Sequence, residues 1–206
     1  KYLCKNFITL PRADDTAFID TVLKECIRLE VQVIMPLVTR ELFHFAKHKK
    51  IFLEHGIKIL VSDYDELVIA NHKSLLYEQL EQVGVDLPVF KVVNGIDDFK
   101  DAIEYFEATG IRMCFKPSVS NGSRGFRIID DHVDELDLLF NHKPDTTYIS
   151  KREAIRTLSA GEFPQLLMSE LLPGEEYSID CLANQGETVI AVPRLRTKMI
   201  GGISVE

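Results

Sequence analysis

Two apolar runs joined by a short, glycine-containing loop constrain the fold of this chain more than any other feature of its sequence. They form the segment RMCFKPSVSNGSRGFRII, residues 112–129, in which small and polar residues separate two runs of β-prone side chains. Because the second run follows the first so directly, the pattern predicts two antiparallel strands, 111–116 and 125–129. Any fold proposed for the chain must accommodate this hairpin.

The loop between these strands, residues 116–125, has a composition suited to binding an anion. Small side chains let an anion approach the main chain, and successive backbone N–H groups can point into one concavity. Lys116 ends the first strand and can reach the same anion as a point charge, while Arg124 offers a fork of donors. The alternative is a mobile hairpin loop whose charges are solvated, and composition alone leaves both interpretations open.

The first ninety residues show a different pattern, in which strand-like apolar runs alternate with helical ones. Strands are predicted at FITL, VQVIMP and IKILVS, with helices between them. Strands separated by helices of this length imply right-handed crossovers and a parallel sheet that is covered on both faces. No G-x-G-x-x-G motif opens these helices, which argues against a dinucleotide site in this half.

Beyond residue 110 the character of the sequence changes to closely spaced strands. Besides the hairpin, these strands are predicted at 165–169, 176–183 and 187–193. The predicted fold class is therefore an α/β N-terminal half, with a partial doubly wound parallel sheet, followed by an α+β domain with antiparallel sheets. The boundary between the two regions is predicted near residues 70–90.

Charge and composition narrow the classes of function. Lys and Arg total 24 against 32 Asp and Glu, a net charge of −8, and no basic run is long enough to follow a nucleic acid. No stretch of 18 apolar residues and no signal peptide is present, so neither membrane insertion nor secretion is indicated. The four scattered cysteines form no CxxC pair, which favours reduced thiols in a cytoplasmic protein.

Four segments, in this order and at roughly the expected separations, resemble the ATP-grasp superfamily of ATP-dependent ligases, in particular proteins similar to the carbamoyl phosphate synthase large subunit. They are NHKSLLYEQLEQVGVDLP, FKPSVSNGSRGFRII, LLMSELLPGEEYSID and VPRLRTKMIGG. The resemblance covers the chain from about Val31 to its C-terminus. It implies a partial pre-ATP-grasp domain at 1–72, an incomplete ATP-grasp domain at 73–206, and truncation at both ends.

The resemblance also implies a phosphate site. Lys73 and Lys116 would approach the phosphates of the nucleotide, although Lys73 taken alone is more often a lysine on a helix surface. The flexible lid over the phosphates would consist of Ser120, Asn121, Gly122, Ser123 and Arg124. Closure of that lid would keep water away from a reactive phosphate.

A second set of residues is implied to bind the nucleoside. The backbone at Glu170, Leu171 and Leu172 would pair with the adenine edge, with apolar side chains around the ring and Glu170 beside it. Glu176 would accept hydrogen bonds from the ribose hydroxyls, because a carboxylate accepts two such donors without strain. The alternative interpretation of Glu170, Glu175 and Glu176 is a solvated acidic turn that binds no ligand.

Three cations follow the last predicted strand. Arg194, Arg196 and Lys198 alternate along the chain, so their side chains point to one side of the sheet. Three like charges on one face repel unless an anion lies there, and we predict a catalytic role toward a γ-phosphate or a substrate carboxylate. They could equally form an exposed basic edge that discourages strand pairing. Asp180 is expected to support the sheet instead of binding a ligand.

The function implied by the resemblance is that of an ATP-dependent ligase, which activates a carboxylate as an acyl phosphate and joins it to an amine or ammonia. The expected cofactors are ATP and Mg²⁺, with the metal ligands expected beyond residue 206. The expected partners are small-molecule carboxylates and amines. The sequence leaves open whether the protein forms a homodimer. The alternatives are a nucleotide-binding regulatory or degenerate module without ligase activity and, from the early α/β pattern only, a dinucleotide-dependent oxidoreductase.

Overall fold

A computed structural model describes residues 7–120, 122, 124–134, 136–137, 140, 147–197, 199–200 and 203–204. The chain divides into two compact units, Lys1–Asn71 and His72–Glu206. No helix among the described residues is both long and apolar enough to cross a membrane.

The first unit alternates helices with short strands. Its elements are α1 (Phe18–Arg28), β1 (Val33–Ile34), α2 (Thr39–Glu54), β2 (Lys58–Ile59) and α3 (Tyr64–Asn71). β1 and β2 pair in parallel, which confirms the parallel α/β pattern predicted for this half. The core forms where Phe18 of α1 meets Phe45 of α2, with ring centroids 5.5 Å apart, and Phe52 is fully buried beside them.

The strand predicted at FITL is not present. Residues 7–10 have no regular structure, and the side chains of Phe7, Ile8 and Leu10 are exposed. A β-prone run becomes a strand only when a neighbouring strand accepts and donates its backbone hydrogen bonds. In the described part of this unit, β1 and β2 form a sheet of two strands that does not include FITL.

The second unit is built around a five-stranded sheet. Its elements up to the end of that sheet are α4 (Lys73–Gln82), β3 (Phe90–Val93), α5 (Ile96–Thr109), β4 (Met113–Pro117), β5 (Arg127–Ile129), β6 (Tyr148–Ile149), α6 (Lys151–Leu158) and β7 (Leu166–Glu170). The strand order is β3-β7-β4-β5-β6. β4 and β5 are antiparallel, with Cys114 opposite Ile128, which confirms the predicted hairpin. β5 and β6 are parallel, so this sheet is mixed and not purely antiparallel.

The two faces of this sheet have different surroundings. On one face, Phe115 of β4 and Met168 of β7 pack against Phe99 and Phe106 of α5, and all four are buried. Because side chains alternate along a strand, Cys114 and Lys116 lie on the opposite face of β4. The alternation along β4 therefore places the core on one face of the sheet and a lysine on the other.

A long hairpin and a short strand pair complete the unit. The hairpin consists of β8 (Tyr177–Asn184) and β9 (Glu187–Leu195), and the strand pair consists of β10 (Met199–Ile200) and β11 (Ile203–Ser204). Both pairs are antiparallel, and the long hairpin confirms the strands predicted at 176–183 and 187–193. The register of the long hairpin shifts between Leu182 and Ala183.

Candidate functional site

The first turn of α4 is tied to the segment that follows β4. His72 caps the helix, because its Nδ1 accepts a hydrogen bond from the N–H of Leu75 at 3.2 Å. The N–H of Lys73 donates to the carbonyl oxygen of Ser118 at 2.8 Å. The hydroxyls of Ser74 and Ser118 lie 2.5 Å apart, and each residue is only 1% exposed. These contacts hold the start of α4 against the end of β4.

Two lysine ammonium groups lie close to this junction. Lys73 Nζ donates to the carbonyl oxygen of Ser120 at 2.8 Å and to its hydroxyl at 3.1 Å. Lys116 Nζ lies 5.4 Å from the ring centroid of Tyr77. Partial burial lowers the pKa of Lys73 below its usual value, and repulsion by the charge of Lys116 lowers it further. The site therefore concentrates positive charge that an anion would stabilise.

The loop between β4 and β5 depends on one glycine beside a proline. Gly125 has a φ of +77°, and a Cβ at this position would lie 2.6 Å from Pro117 Cγ and 2.7 Å from Pro117 Cδ. A side chain here would therefore meet both a left-handed backbone and a clash. The loop residues Gly122 and Arg124 are exposed, while Asn121 and Ser123 lie outside the described residues.

Cys114 lies on the same face of β4 as Lys116. Its thiol donates to the carbonyl oxygen of Ser169 at 3.5 Å. Burial raises the pKa of the Cys114 thiol, while the hydrogen bond to Ser169 and the charge of Lys116 act in the opposite direction. The thiol is therefore protonated at neutral pH and is a buried donor, not an activated nucleophile.

Two backbone N–H groups at the end of β7 donate hydrogen bonds to neighbouring segments of the protein. The N–H of Glu170 donates to the carbonyl oxygen of Val89 at 2.8 Å, and the N–H of Leu171 donates to that of Arg112 at 2.7 Å. The carboxylate of Glu170 accepts a longer hydrogen bond, 3.4 Å, from the N–H of Val89. The amides of Glu170 and Leu171 are thus engaged within the sheet, whereas the side chain of Leu172 is exposed.

The arginines of the long hairpin are paired with carboxylates. Arg194 donates to Asp180 through two nitrogens, at 2.8 and 3.2 Å. Arg196 forms an ion pair with Glu176, and its N–H donates to the Glu176 carbonyl oxygen at 2.8 Å. Lys198 lies outside the described residues. Since two carboxylates share this face with the arginines, charge repulsion between cations does not by itself require a bound anion here.

Three residues of the site were not predicted as functional: Ser74, Tyr77 and Ser118. Gly125 was predicted only as the end of the loop, and its closeness to Pro117 was not predicted. Ser74, Tyr77 and Ser118 contribute through contacts between segments far apart in the chain, for which the sequence offers no signal. Among the described residues, no group of three or more His, Cys, Asp or Glu side chains is arranged to hold a metal ion.

The buried hydroxyl pair leads to a first prediction. We expect Ser74→Ala to lower the free energy of unfolding by about 1–2 kcal/mol, because the Ser118 hydroxyl is left buried without this partner. Urea unfolding of the purified chain measures the change. The double variant Ser74→Ala with Ser118→Ala is the control, and it should be more stable than Ser74→Ala alone. A double variant that is less stable than the single one would contradict this assignment.

Comparisons with known proteins agree with this fold. Residues 162–205 match the family described as ATP-grasp in the biosynthetic pathway with Ter operon, and residues 1–60 match the N-terminal domain of PylC-like proteins. The carbamoyl phosphate synthase large chain of Pseudothermotoga lettingae is 28% identical over 88 residues, which are 43% of this chain and 8% of that protein.

Two solved structures share the arrangement of the elements. N5-carboxyaminoimidazole synthetase from Staphylococcus aureus, complexed with ADP, aligns with a TM-score of 0.56 and 16% identity, over 92% of this chain and 43% of that chain. L-amino acid ligase from Bacillus licheniformis aligns with a TM-score of 0.53 and 19% identity, over 88% of this chain and 36% of that chain. This chain thus spans less than half the length of each of these relatives.

These matches and the five-stranded sheet identify the ATP-grasp fold in this chain. Within that fold, the chain resembles ATP-grasp ligases that are similar to the carbamoyl phosphate synthase large chain.

Proposed function

We propose that this chain is the nucleotide-binding part of an ATP-dependent ligase, which activates a carboxylate as an acyl phosphate and joins it to an amine or ammonia. The observation that carries the proposal is the pair Lys73 and Lys116, held beside a glycine-containing loop with the pKa of Lys73 lowered. A triphosphate supplies the negative charge that such a pair stabilises. The fold shared with ATP-grasp enzymes supports the same conclusion.

We propose roles for the site residues that are compatible with their placement. Lys73 and Lys116 bind phosphate oxygens, and the lid that begins at Ser120 covers them. The amides of Glu170 and Leu171 are engaged within the sheet, so we assign the adenine-reading N–H to Leu172. Glu176 pairs with Arg196, yet a carboxylate has about four acceptor sites and can receive the ribose hydroxyls as well.

In the proposed reaction, a carboxylate oxygen attacks the γ-phosphorus and the bond to the β-phosphate oxygen breaks. The amine then attacks the acyl carbon, and inorganic phosphate leaves. Both reactants of the first step are anions, so cations must offset their repulsion. We propose that Arg194 and Arg196 supply this positive charge. The substrate carboxylate then competes with Asp180 for Arg194. The described residues hold no cluster that fits the expected Mg²⁺.

Small-molecule carboxylates and amines are the proposed substrates, and we propose a cytoplasmic location. The thiols of Cys26, Cys114 and Cys181 are free, which suits a reducing compartment.

Calorimetric titration of the purified chain with ATP and with NAD tests the nucleotide assignment. We expect binding of ATP and none of NAD, whereas NAD binding without ATP binding would favour the oxidoreductase alternative. Phosphate release that depends on added amino acids then separates a ligase from a regulatory module. ATP binding with no such release in the full-length protein would favour the module.

The lowered pKa of Lys73 makes binding dependent on pH. A bound phosphate stabilises the ammonium form, so affinity for ADP is greatest below the pKa of Lys73. We expect affinity to fall as pH rises through this lowered pKa, before it reaches the usual lysine value of about 10.4. Titrations of ADP across alkaline pH measure the decline.

The control for this prediction is Lys73→Arg. An arginine stays charged in this range, so the decline should move to higher pH. The stability of the free protein changes in the opposite direction. At pH values between the lowered pKa of Lys73 in the folded protein and its pKa in the unfolded chain, the unfolded chain binds more protons. The contribution of Lys73 to the free energy of unfolding therefore rises with pH in this range. The same alkaline decline in Lys73→Arg as in the wild type would contradict the assignment.

A further inference from the structure

Helix α4 lies beside both lysines of the site and acts on each in a different way. Lys73 is its first residue, and Tyr77, one turn later, has its ring centroid 5.4 Å from Lys116 Nζ. Residues four apart share one face of a helix, so Lys73 and Tyr77 lie on the same side of α4. Helix α4 therefore supplies the ammonium of Lys73 itself and contacts the ammonium of Lys116 through the ring of Tyr77.

The Tyr77 ring is held in place by the sheet. It makes an edge-to-face contact with Phe90 of β3, with ring centroids 5.2 Å apart and an interplanar angle of 76°. The first turn of the same helix is anchored by the hydroxyl pair of Ser74 and Ser118. The ring that meets Lys116 is thus fixed both by its own contact and by the anchored start of its helix.

A fixed ring at this point has an electrostatic consequence. The charges of Lys73 and Lys116 repel one another, and this repulsion adds to the effect of burial in lowering the pKa of Lys73. A lysine has a flexible four-carbon stem, so repulsion would carry the ammonium of Lys116 toward solvent. The face of an aromatic ring attracts a cation within about 6 Å of its centroid. Tyr77 therefore opposes the repulsion and keeps the ammonium near the end of β4.

We propose that Tyr77 is a positioning residue, which holds the ammonium of Lys116 in place before the nucleotide phosphates arrive. The proposal rests on the proposed function, because that function supplies the anion that the positioned ammonium binds. A side chain that is ordered in advance loses less conformational entropy on binding. Aromaticity is what this role requires, so phenylalanine should replace Tyr77 and leucine should not.

The first experiment needs no ligand. In lysine-selective ¹³C-labelled protein, with the Lys116 signal assigned from Lys116→Arg, the Hε protons of Lys116 should be shifted upfield by the ring current of Tyr77. We expect this shift to persist in Tyr77→Phe and to vanish in Tyr77→Leu. Tyr105→Leu is a matched control, because Tyr105 lies under Lys91, 4.4 Å from its Nζ, on the opposite face of the sheet. It should move the Lys91 signal and leave that of Lys116 unchanged.

The second experiment measures binding of ADP and of adenosine to the same variants. We expect Tyr77→Leu to weaken ADP binding by about two- to fivefold and to leave adenosine binding unchanged, since only ADP has phosphates. Tyr77→Phe and Tyr105→Leu should bind ADP as the wild type does. A purely structural role would weaken both ligands together.

The two experiments separate the two ways of failing. A Lys116 signal without the upfield shift, or one unaffected by Tyr77→Leu, overturns the positioning role whatever the chain binds. Equal losses of ADP affinity in Tyr77→Leu and Tyr77→Phe overturn it as well. A wild-type chain that binds no ADP while the ring-current shift is present and lost in Tyr77→Leu overturns the proposed function, and leaves Tyr77 as the residue that positions Lys116.

Discussion

Replacing Lys116 with methionine is expected to weaken ATP binding by about 10- to 100-fold. A charge-assisted hydrogen bond contributes about 1.5–3 kcal/mol, which corresponds to this range of affinity. Methionine keeps an unbranched apolar side chain beside Tyr77, so packing changes little while the charge is removed. Calorimetric titration of ATP into the wild type and the variant measures the loss.

The matched control for this variant is Lys91→Met. Lys91 also lies on a strand of the same sheet with its ammonium over a tyrosine ring, but that ring belongs to Tyr105 of α5. We expect Lys91→Met to bind ATP as the wild type does. Lys116→Met should also raise the pKa of Lys73, because one cause of its lowering is removed. Unchanged ATP affinity in Lys116→Met would overturn the assignment of the phosphate site.

Replacing Gly125 with alanine is expected to lower the free energy of unfolding by about 2–5 kcal/mol. A left-handed backbone costs a non-glycine residue about 1–2 kcal/mol, and an overpacked contact adds about 1–3 kcal/mol. Both apply here, because Gly125 has a φ of +77° and its Cβ would lie 2.6 Å from Pro117 Cγ. Urea unfolding measures the stability, and ADP titration should show weaker binding because the loop base has moved.

Two controls separate the causes of this loss. Gly110, in the same unit, has a φ of +69° and open space around its missing Cβ, so Gly110→Ala should show only the backbone part. Combining Gly125→Ala with Pro117→Ala removes the atoms that clash and should recover part of the loss. If Gly125→Ala and Gly110→Ala lowered the free energy of unfolding by the same amount, the contact with Pro117 would not contribute to the loss.

The arginines of the long hairpin have carboxylate partners in the structure. The sequence left two interpretations of these cations open, an anion site and an exposed basic edge. In the structure Arg194 pairs with Asp180 and Arg196 with Glu176. Under the proposed function, a substrate carboxylate would have to displace or share the pair of Arg194 with Asp180. Its affinity would then depend on the strength of that pair.

Local patterns in the sequence determined much of this fold. The hairpin of β4 and β5 and the strands of the long hairpin were predicted because apolar period and turn residues act over a few positions. The parallel pairing of β1 with β2 followed from alternating helices and strands. The FITL segment shows a limit of this reasoning, because residues 7–10 have a strand-like pattern and no regular structure.

From the sequence, resemblance to a family led to the prediction that Lys73 and Lys116 belong to one phosphate site. Only the tertiary structure decided how they are held there, through Tyr77, Ser74 and Ser118. Such contacts depend on which face each element presents after folding, because residues distant in the chain meet only when their elements pack. The loop glycine Gly125 shows the same division, since its neighbour Pro117 is eight residues away in sequence and in contact in space.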